Sequence, residues 1–378
     1  MKLNKETIRD PEVIDIEGAT MLVPAGWKRQ GGFVWTPDLS AQASLVTSVS
    51  DPQTGASVQT FPAKRFNWMT QPSMNSMPPG SNYMGSIVMP PPQEPRHCLQ
   101  VAYMDGPLQH LRMAQFMGGS PLQQASAELG RNFPHVSAYL TRLRFAYNMG
   151  GGMWEEDVYL TSAFTHPNGF LVQWYTGAWS ARAPAGTLDE MTPLLASIML
   201  STRNTLDWSS VLDYMQMEFL QNITKQQTGI TPQMPFMNPM QSKMYQEQRR
   251  GMIYAMTQTP GVVWNQRKDE IRNKHRSAWE SRQHAAERER IALIKDLGGL
   301  ETYASPFDSS NLQLPSDYAG YWASKQGEVV MTKDAASDPN TVEAGKWQRM
   351  KPYSASSSPP SESSSSSSSH TDSAYMSM

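Results

Sequence analysis

The sequence predicts an α+β protein: a largely antiparallel sheet flanked by helices, followed by a charged helical arm and a small β-hairpin module. Short segments of alternating polarity, separated by Gly, Pro and Asn turns, fill most of the first 205 residues, and helical periodicities interrupt and close them. Near residue 206 the sequence changes to Met- and Pro-rich linkers and a highly charged helix. We predict four units, namely an α+β domain at 1–205, a helical arm with its linker at 206–300, a β-module at 301–353 and a disordered Ser-rich tail at 354–378.

Turn residues between alternating segments predict three hairpins. Residues 43–49 and 56–61 flank a turn that contains Pro52 and Gly55, and 158–164 and 170–179 flank Pro167-Asn168-Gly169. A third hairpin is expected around Lys325-Gln326-Gly327 in the β-module. The segment 98–104 is predicted as a further strand.

Helical spacing of apolar residues predicts four helices, at 121–133, 187–204, 208–223 and 265–297. The last one places Ile271, Ala278, Ala285 and Ala292 seven residues apart, which is typical of a short helix–helix seam. Its basic charges outnumber its acidic ones but are interleaved with them, so we predict a solvated or partner-packed helix and no nucleic-acid partner.

Composition excludes several classes of protein. The formal charge of −2 over 378 residues argues against a protein that coats nucleic acid, and a single cysteine excludes an intrachain disulfide framework. No apolar run is long enough to span a membrane. The first ten residues carry no apolar stretch behind their lysines, so a cytoplasmic location is expected, with signal-independent export left open.

Residues 22–27 read Leu-Val-Pro-Ala-Gly-Trp and residues 32–38 read Gly-Phe-Val-Trp-Thr-Pro-Asp, before a hairpin and a closing helix near 190–203. This arrangement resembles the PsbP-like fold family over about half of the chain. The resemblance implies an α+β architecture that serves as a binding platform, and it assigns no functional residue. The segment from Trp264 to Met350 resembles the C-terminal part of uncharacterised bacterial proteins, and that resemblance implies no activity.

Two groups of residues in the first domain could carry chemistry. Cys98, with His110 or His135 as base, would form a thiol nucleophile, whereas its neighbour His97 would point to the opposite face of a strand; a buried structural cysteine is the favoured interpretation. The run Glu155-Glu156-Asp157 could serve a metal or an acid–base pair, although consecutive acids on a strand are usually solvated. The glycines at 150–152 lack the residues of a phosphate-binding loop.

Methionines with near-regular spacing are candidate ligands for a soft metal ion. Thioether clusters bind Cu(I), and the sequence offers Met234, Met237, Met240 and Met244. The alternative is that methionine acts here as flexible apolar filler.

These observations predict a non-enzymatic protein-binding or scaffold protein, without a cofactor, whose helical arm mediates docking or self-association. Large apolar side chains in polar surroundings are candidate partner contacts, and they are Trp264, Ile271, Trp279 and Trp322. A Cu(I)-binding protein and a thiol enzyme or hydrolase remain the alternatives.

Overall fold

The computed structural model describes residues 1–12, 16–35, 43–70, 77–83, 86–132, 135–227, 247, 251, 261–308 and 310–353, without the side chains at 168, 216, 218–227 and 261–268. The predicted methionine cluster at 234–244 and the tail at 354–378 lie outside these residues. The helices are α1 (Pro95–Leu99), α2 (Gln123–Asn132), α3 (Leu188–Leu200), α4 (Leu206–Gln227) and α5 (Gly261–Leu297). A π-helix at Gln100–Met104 and a 3-10 helix at Gln109–Met113 follow α1, and a second 3-10 helix lies at Pro339–Thr341.

The strands form three sheets and confirm the α+β prediction. They are β1 (Lys2–Asp10), β2 (Ile16–Pro24), β3 (Lys28–Trp35), β4 (Ala43–Ser50), β5 (Ser57–Met69), β6 (Asn82–Tyr83), β7 (Ser86–Val88), β8 (Gln115–Pro121), β9 (Ser137–Met149), β10 (Gly152–Asn168), β11 (Leu171–Pro184), β12 (Arg203–Asn204), β13 (Leu300–Ala304), β14 (Asn311–Pro315), β15 (Gly320–Ser324), β16 (Val329–Thr332), β17 (Trp347–Arg349) and β18 (Lys351–Pro352).

The large sheet has nine strands, with β6 and β7 beside β5 and a main path in the order β3-β4-β5-β11-β10-β9-β8. Its pairings are antiparallel apart from that of β5 with β7. The predicted hairpins β4–β5, β10–β11 and β15–β16 are all present. Each hairpin depends on a few turn residues, and these can be identified from the local sequence alone.

Both faces of the large sheet are covered. On one face α3 packs with β2 and the last turns of α5, where Leu195, Ile198 and Leu293 are buried. On the other face α1, the π-helix and the first 3-10 helix cover an aromatic core that includes Phe66 and Trp174, whose rings stack with centroids 3.7 Å apart. The strand predicted at 98–104 is therefore wrong. Its apolar residues Leu99, Ala102 and Tyr103 form one side of two consecutive helical turns that begin at Pro95.

The second sheet joins the two ends of the described chain. Its order is β12-β2-β1-β16-β15-β17, so strands from the predicted N-terminal domain lie beside strands of the predicted C-terminal module. β1 pairs with β16 through Lys2 and Leu3. Leu3 and Leu22 then pack against the core of the C-terminal strands. The boundary predicted at residue 300 thus runs through a shared sheet and a shared core. The third sheet has the order β14-β13-β18.

Buried Asp10 fastens the start of α4 to this framework. Its Oδ2 accepts hydrogen bonds from the indole N–H groups of Trp35, at 3.0 Å, and Trp208, at 2.8 Å. Because a buried carboxylate is stable only with such donors, Asp10 fixes both tryptophans at the end of β1. Trp208 stands in the first turn of α4, so this contact sets where the helix leaves the sheet.

Candidate functional site

Ion pairs and hydrogen bonds hold α5 against its own chain. Arg288 Nε lies 2.8 Å from Glu128 Oε1 on α2, and Arg282 Nη2 lies 2.5 Å from Asp213 on α4. Asp296 accepts a hydrogen bond of 2.9 Å from the backbone N–H of Ala125, in the first turn of α2. That carboxylate caps the helix, because the first N–H groups of a helix have no partner within it.

The C-terminal end of α3 adds a further contact with α5. Arg203 donates to the carbonyl oxygen of Leu200, and Arg290, on α5, donates to that of Thr202 at 3.2 Å. Burial lowers the pKa of Arg203 to about 9, with the positive charge of Arg290 acting in the same direction and Glu287 opposing it. Two arginines at the carbonyl end of α3 complement the helix dipole there.

The predicted seam along α5 is interrupted. Ile271 and Ala292 are buried, but Ala278 between them is exposed. The helix pairs with α4 through Arg272 and Arg282, and with α2 nearer its C-terminal end through Arg288. The seven-residue spacing therefore describes two separate contacts within the chain.

The structure separates the predicted partner contacts. Ile271 is 6% exposed, and Trp279 is half-buried on the same helix. Trp322 is half-buried on β15, in the six-stranded sheet, with the guanidinium of Arg349 5.7 Å from its ring centroid. The side chain of Trp264 lies outside the described residues. Of the three described side chains, Ile271 is thus buried on its own chain, and the two tryptophans lie on different elements.

Cys98 lies in the aromatic core and is 1% exposed. Burial raises the pKa of its thiol, although hydrogen bonds with Ser162 and Thr176 lower it in part. A nucleophilic cysteine needs an accessible thiolate, and this environment favours the buried thiol instead. The thiol-enzyme alternative therefore loses its nucleophile.

The interpretation of the acidic run as solvated is wrong. β10 lies inside the large sheet, between β9 and β11, so Glu156 and Asp157 point to its two covered faces and are 3% and 0% exposed. Asp157 binds Arg144 through two hydrogen bonds of 2.8 Å and Arg142 through an ion pair of 2.9 Å. The charge of Asp157 is thus balanced by two arginines of the neighbouring strand β9.

Glu156 forms the constellation of greatest chemical interest. Its Oε2 lies 2.8 Å from His110 Nε2, on the first 3-10 helix, and accepts a hydrogen bond of 2.7 Å from the hydroxyl of Tyr147. Burial acts to raise the pKa of Glu156, but the hydrogen bonds and charge of His110, Ser180 and Tyr147 outweigh it and lower that pKa. Burial and the Glu156 charge raise the pKa of Tyr147.

This arrangement fixes the proton of His110. An ionised carboxylate only accepts hydrogen bonds, so Nε2 carries a proton, and in the neutral imidazole Nδ1 is left as the acceptor. The His110 side chain is 31% exposed. The pair fastens the 3-10 helix to the sheet. Sequence spacing gave no signal for it, because 46 residues separate the two side chains.

Exposed methionines surround the β8 edge of the large sheet. Met113 is 94% exposed, Met117 on β8 is 53% exposed, and Met149 and Met153 beside the β9–β10 turn are 40% and 53% exposed. β8 pairs with β9 and with no other described strand. The sequence did hold a signal for this edge, because residues 113–127 contain no charged side chain.

The described residues contain neither a metal-binding group nor a membrane-spanning helix. No group of three or more His, Cys, Asp or Glu side chains in that part of the chain could hold a metal ion. No described helix is long and apolar enough to cross a membrane. The copper ligands predicted at Met234, Met237, Met240 and Met244 are outside the described residues and stay a prediction.

Comparison with known proteins gives weak fold similarity only. No family model matches the sequence, and no curated protein matches it. The chain is similar to the solution structure of cyanobacterial PsbP (CyanoP) from Synechocystis sp. PCC 6803, with 8% identity, a TM-score of 0.21 and coverage of 54% of this chain and 93% of that one. A crystal structure from Bacteroides thetaiotaomicron VPI-5482 gives 8% identity, a TM-score of 0.19 and coverage of 83% and 86%. Neither likeness carries an argument about function.

Proposed function

We propose that this chain is a non-enzymatic protein-binding or scaffold protein that self-associates through the outer edge of β8. The observation that carries the proposal is an uncharged edge strand bordered by exposed methionines. An edge strand presents a row of backbone N–H and C=O groups, and proteins usually protect such an edge with charges. Methionine is also enriched at protein interfaces, where its flexible side chain adapts to a partner.

A second copy of the chain is the occupant that the charge pattern favours. Two β8 strands related by a two-fold axis would pair antiparallel without bringing like charges together. The opposite edge of the large sheet is β3, which carries Lys28 and Arg29. Charged side chains on an edge strand are a common protection against pairing with another chain, and β8 has none. The proposal therefore selects β8 and not β3.

The helical arm has a different place in this proposal. Ile271 is buried on its own chain, so α5 acts as an internal brace that keeps α2 and α4 against the large sheet. Trp279 and Trp322 keep partly exposed rings and stay candidate contacts for a further partner.

Light scattering on the size-separated full-length chain tests self-association, with Met117→Lys as the variant. We expect the unmodified protein to be a dimer. In the variant, a lysine on β8 would oppose its copy across the two-fold axis, so the affinity of self-association should fall by at least about tenfold. Met153→Lys is the matched control, because Met153 has the same 53% exposure and lies near this edge, but it stands on β10, two strands away from β8 in the sheet.

The control separates two explanations. Dissociation by Met117→Lys with an intact dimer in Met153→Lys supports strand pairing at β8. An unmodified protein that is monomeric at every concentration, or two variants that dissociate equally, would overturn pairing at this edge.

A further inference from the structure

A polar cleft opens where β1 and β16 separate. The two strands pair only at Lys2 and Leu3, and beyond Leu3 the turn between β15 and β16 faces β1 across a gap. The cleft has a volume of about 480 Å³ and is lined by Asn4, Lys5, Gln326, Glu328 and Lys346. This volume is within the range of small-molecule sites, but the lining is amide and charged groups with no large apolar side chain.

Three lysines converge on this turn: ion pairs hold Lys2 and Lys346, and the exposed Lys5 packs its stem against the turn. Glu328 binds Lys2 Nζ at 2.9 Å through Oε1 and Lys346 Nζ at 2.8 Å through Oε2. The stem of Lys5 lies against Gly327, where a Cβ atom would come within 2.5 Å of Lys5 Cδ. Gly327 has a φ of +81°, so glycine here serves both the turn and the close approach of Lys5.

The ammonium group of Lys5 has no carboxylate partner within ion-pairing distance among the described residues. Glu328 is already shared by two lysines, and Glu343 binds Lys346 at 3.0 Å. Burial acts to raise the pKa of Asp308, but hydrogen bonds from Ser310 and Ser305 and, as a smaller effect, the charge of Lys5 lower it; no ion pair joins Lys5 and Asp308 among the described residues. The cleft thus contains a positioned cation and two amide side chains, those of Asn4 and Gln326, that can donate hydrogen bonds.

We propose that this cleft binds a small oxyanion, a phosphate or carboxylate group, with Lys5 as its main charged contact. Charge-assisted hydrogen bonds from ammonium to oxyanion are stronger than neutral ones, and lysine is a common phosphate ligand. The amides of Asn4 and Gln326 would donate to the remaining oxygens. Neither self-association at β8 nor the His110–Glu156 pair is involved in this site.

Titration of the full-length chain with inorganic phosphate tests the site, followed by NMR chemical shifts at constant ionic strength. A parallel titration with acetate separates a phosphate from a carboxylate preference. We expect saturable shifts at residues 4–5 and 326–328, and a loss of affinity of about tenfold in Lys5→Gln. Lys333→Gln is the matched control, because Lys333 is an exposed lysine near β16 that pairs with Asp317 and does not line the cleft.

A second variant distinguishes a built site from general surface charge. Gly327→Ala keeps every lysine but displaces the Lys5 stem, so binding should weaken in this variant too, with circular dichroism confirming that it folds. Shifts that never saturate, an affinity that Lys333→Gln lowers as much as Lys5→Gln, or unchanged binding in Lys5→Gln would each overturn the proposal.

Discussion

Single buried charges show how far this fold depends on distant partners. Glu156 and Asp157 are neighbours in sequence, yet their side chains occupy opposite faces of β10 and different networks, one with His110 and Tyr147, the other with Arg142 and Arg144. The sequence identified the acidic run but not its environment. Whether a strand is central or at an edge depends on which strands pair with it, and that is set by contacts across the whole sheet.

Substitution of Glu156 by Gln tests the role of this carboxylate. Gln keeps the shape but loses the charge that holds His110, so we expect the free energy of unfolding at pH 7 to fall by about 1–3 kcal/mol. Because the folded-state pKa lies below the usual value of 4.5, the charged carboxylate stabilises the fold above that pH, and this contribution disappears as the pH falls through the folded-state pKa. Urea denaturation at pH 7 and near pH 3.5 measures the free energy of unfolding of each protein at both pH values.

The difference between the two proteins should therefore shrink at the lower pH. Tyr147→Phe serves as a control that removes one hydrogen bond and leaves the charge in place. A stability loss in Glu156→Gln that is the same at both pH values would contradict a role for the ionised form.

At the scale of elements, the sequence predicted what local chemistry determines. The three hairpins and the helices α2 to α5 follow from turn residues and apolar spacing, and all are present. The strand at 98–104 was wrong because a short apolar run fits a buried helix as well as a strand. The packing of α5 was also missed, since it includes ion pairs with residues more than 60 positions away, such as that of Arg282 with Asp213.

The contact between α4 and α5 should weaken in acid. His275 is 9% exposed, and burial lowers its pKa, with the charges of Lys274 and Arg282 acting in the same direction and Asp213, at 3.6 Å, opposing them. A histidine whose folded-state pKa lies below 6.5 binds a proton more readily when unfolded. The contribution of neutral His275 to the stability of the fold is therefore fully present above pH 6.5 and is lost as the pH falls through the folded-state pKa.

Hydrogen exchange of α5 at pH 7.5 and pH 5.5, corrected for intrinsic rates, measures this effect. Protection over residues 271–282 should fall at the lower pH in the unmodified protein and change less in His275→Gln. The exposed His97 offers His97→Gln as a control that should keep the full pH dependence. Equal pH dependence in all three proteins would show that another group controls this contact.

At the scale of the whole molecule, the described chain closes on itself. β1 lies between β2 and β16, the last turns of α5 enter the core beneath α3, and Asp10 holds α4 through Trp208. The changes in amino-acid composition near residues 205 and 300 predicted domain boundaries there. It could not show that strands on either side of those boundaries pair, because strand pairing leaves no local mark in the sequence.

A chain that ends at Asn204 should therefore fail to form the native fold. It lacks the β16 partner of β1, the indole of Trp208 for buried Asp10, and the buried Leu293 and Ile294 of α5. A chain that ends at Tyr353 keeps every described element and is the matched control. Circular dichroism melts at equal protein concentration should show a transition within about 2 °C of the full chain for the longer form, and no cooperative transition near it for the shorter form. If the shorter form melts cooperatively at the temperature of the full chain, residues 1–204 are an independent domain and the shared sheet contributes little to stability.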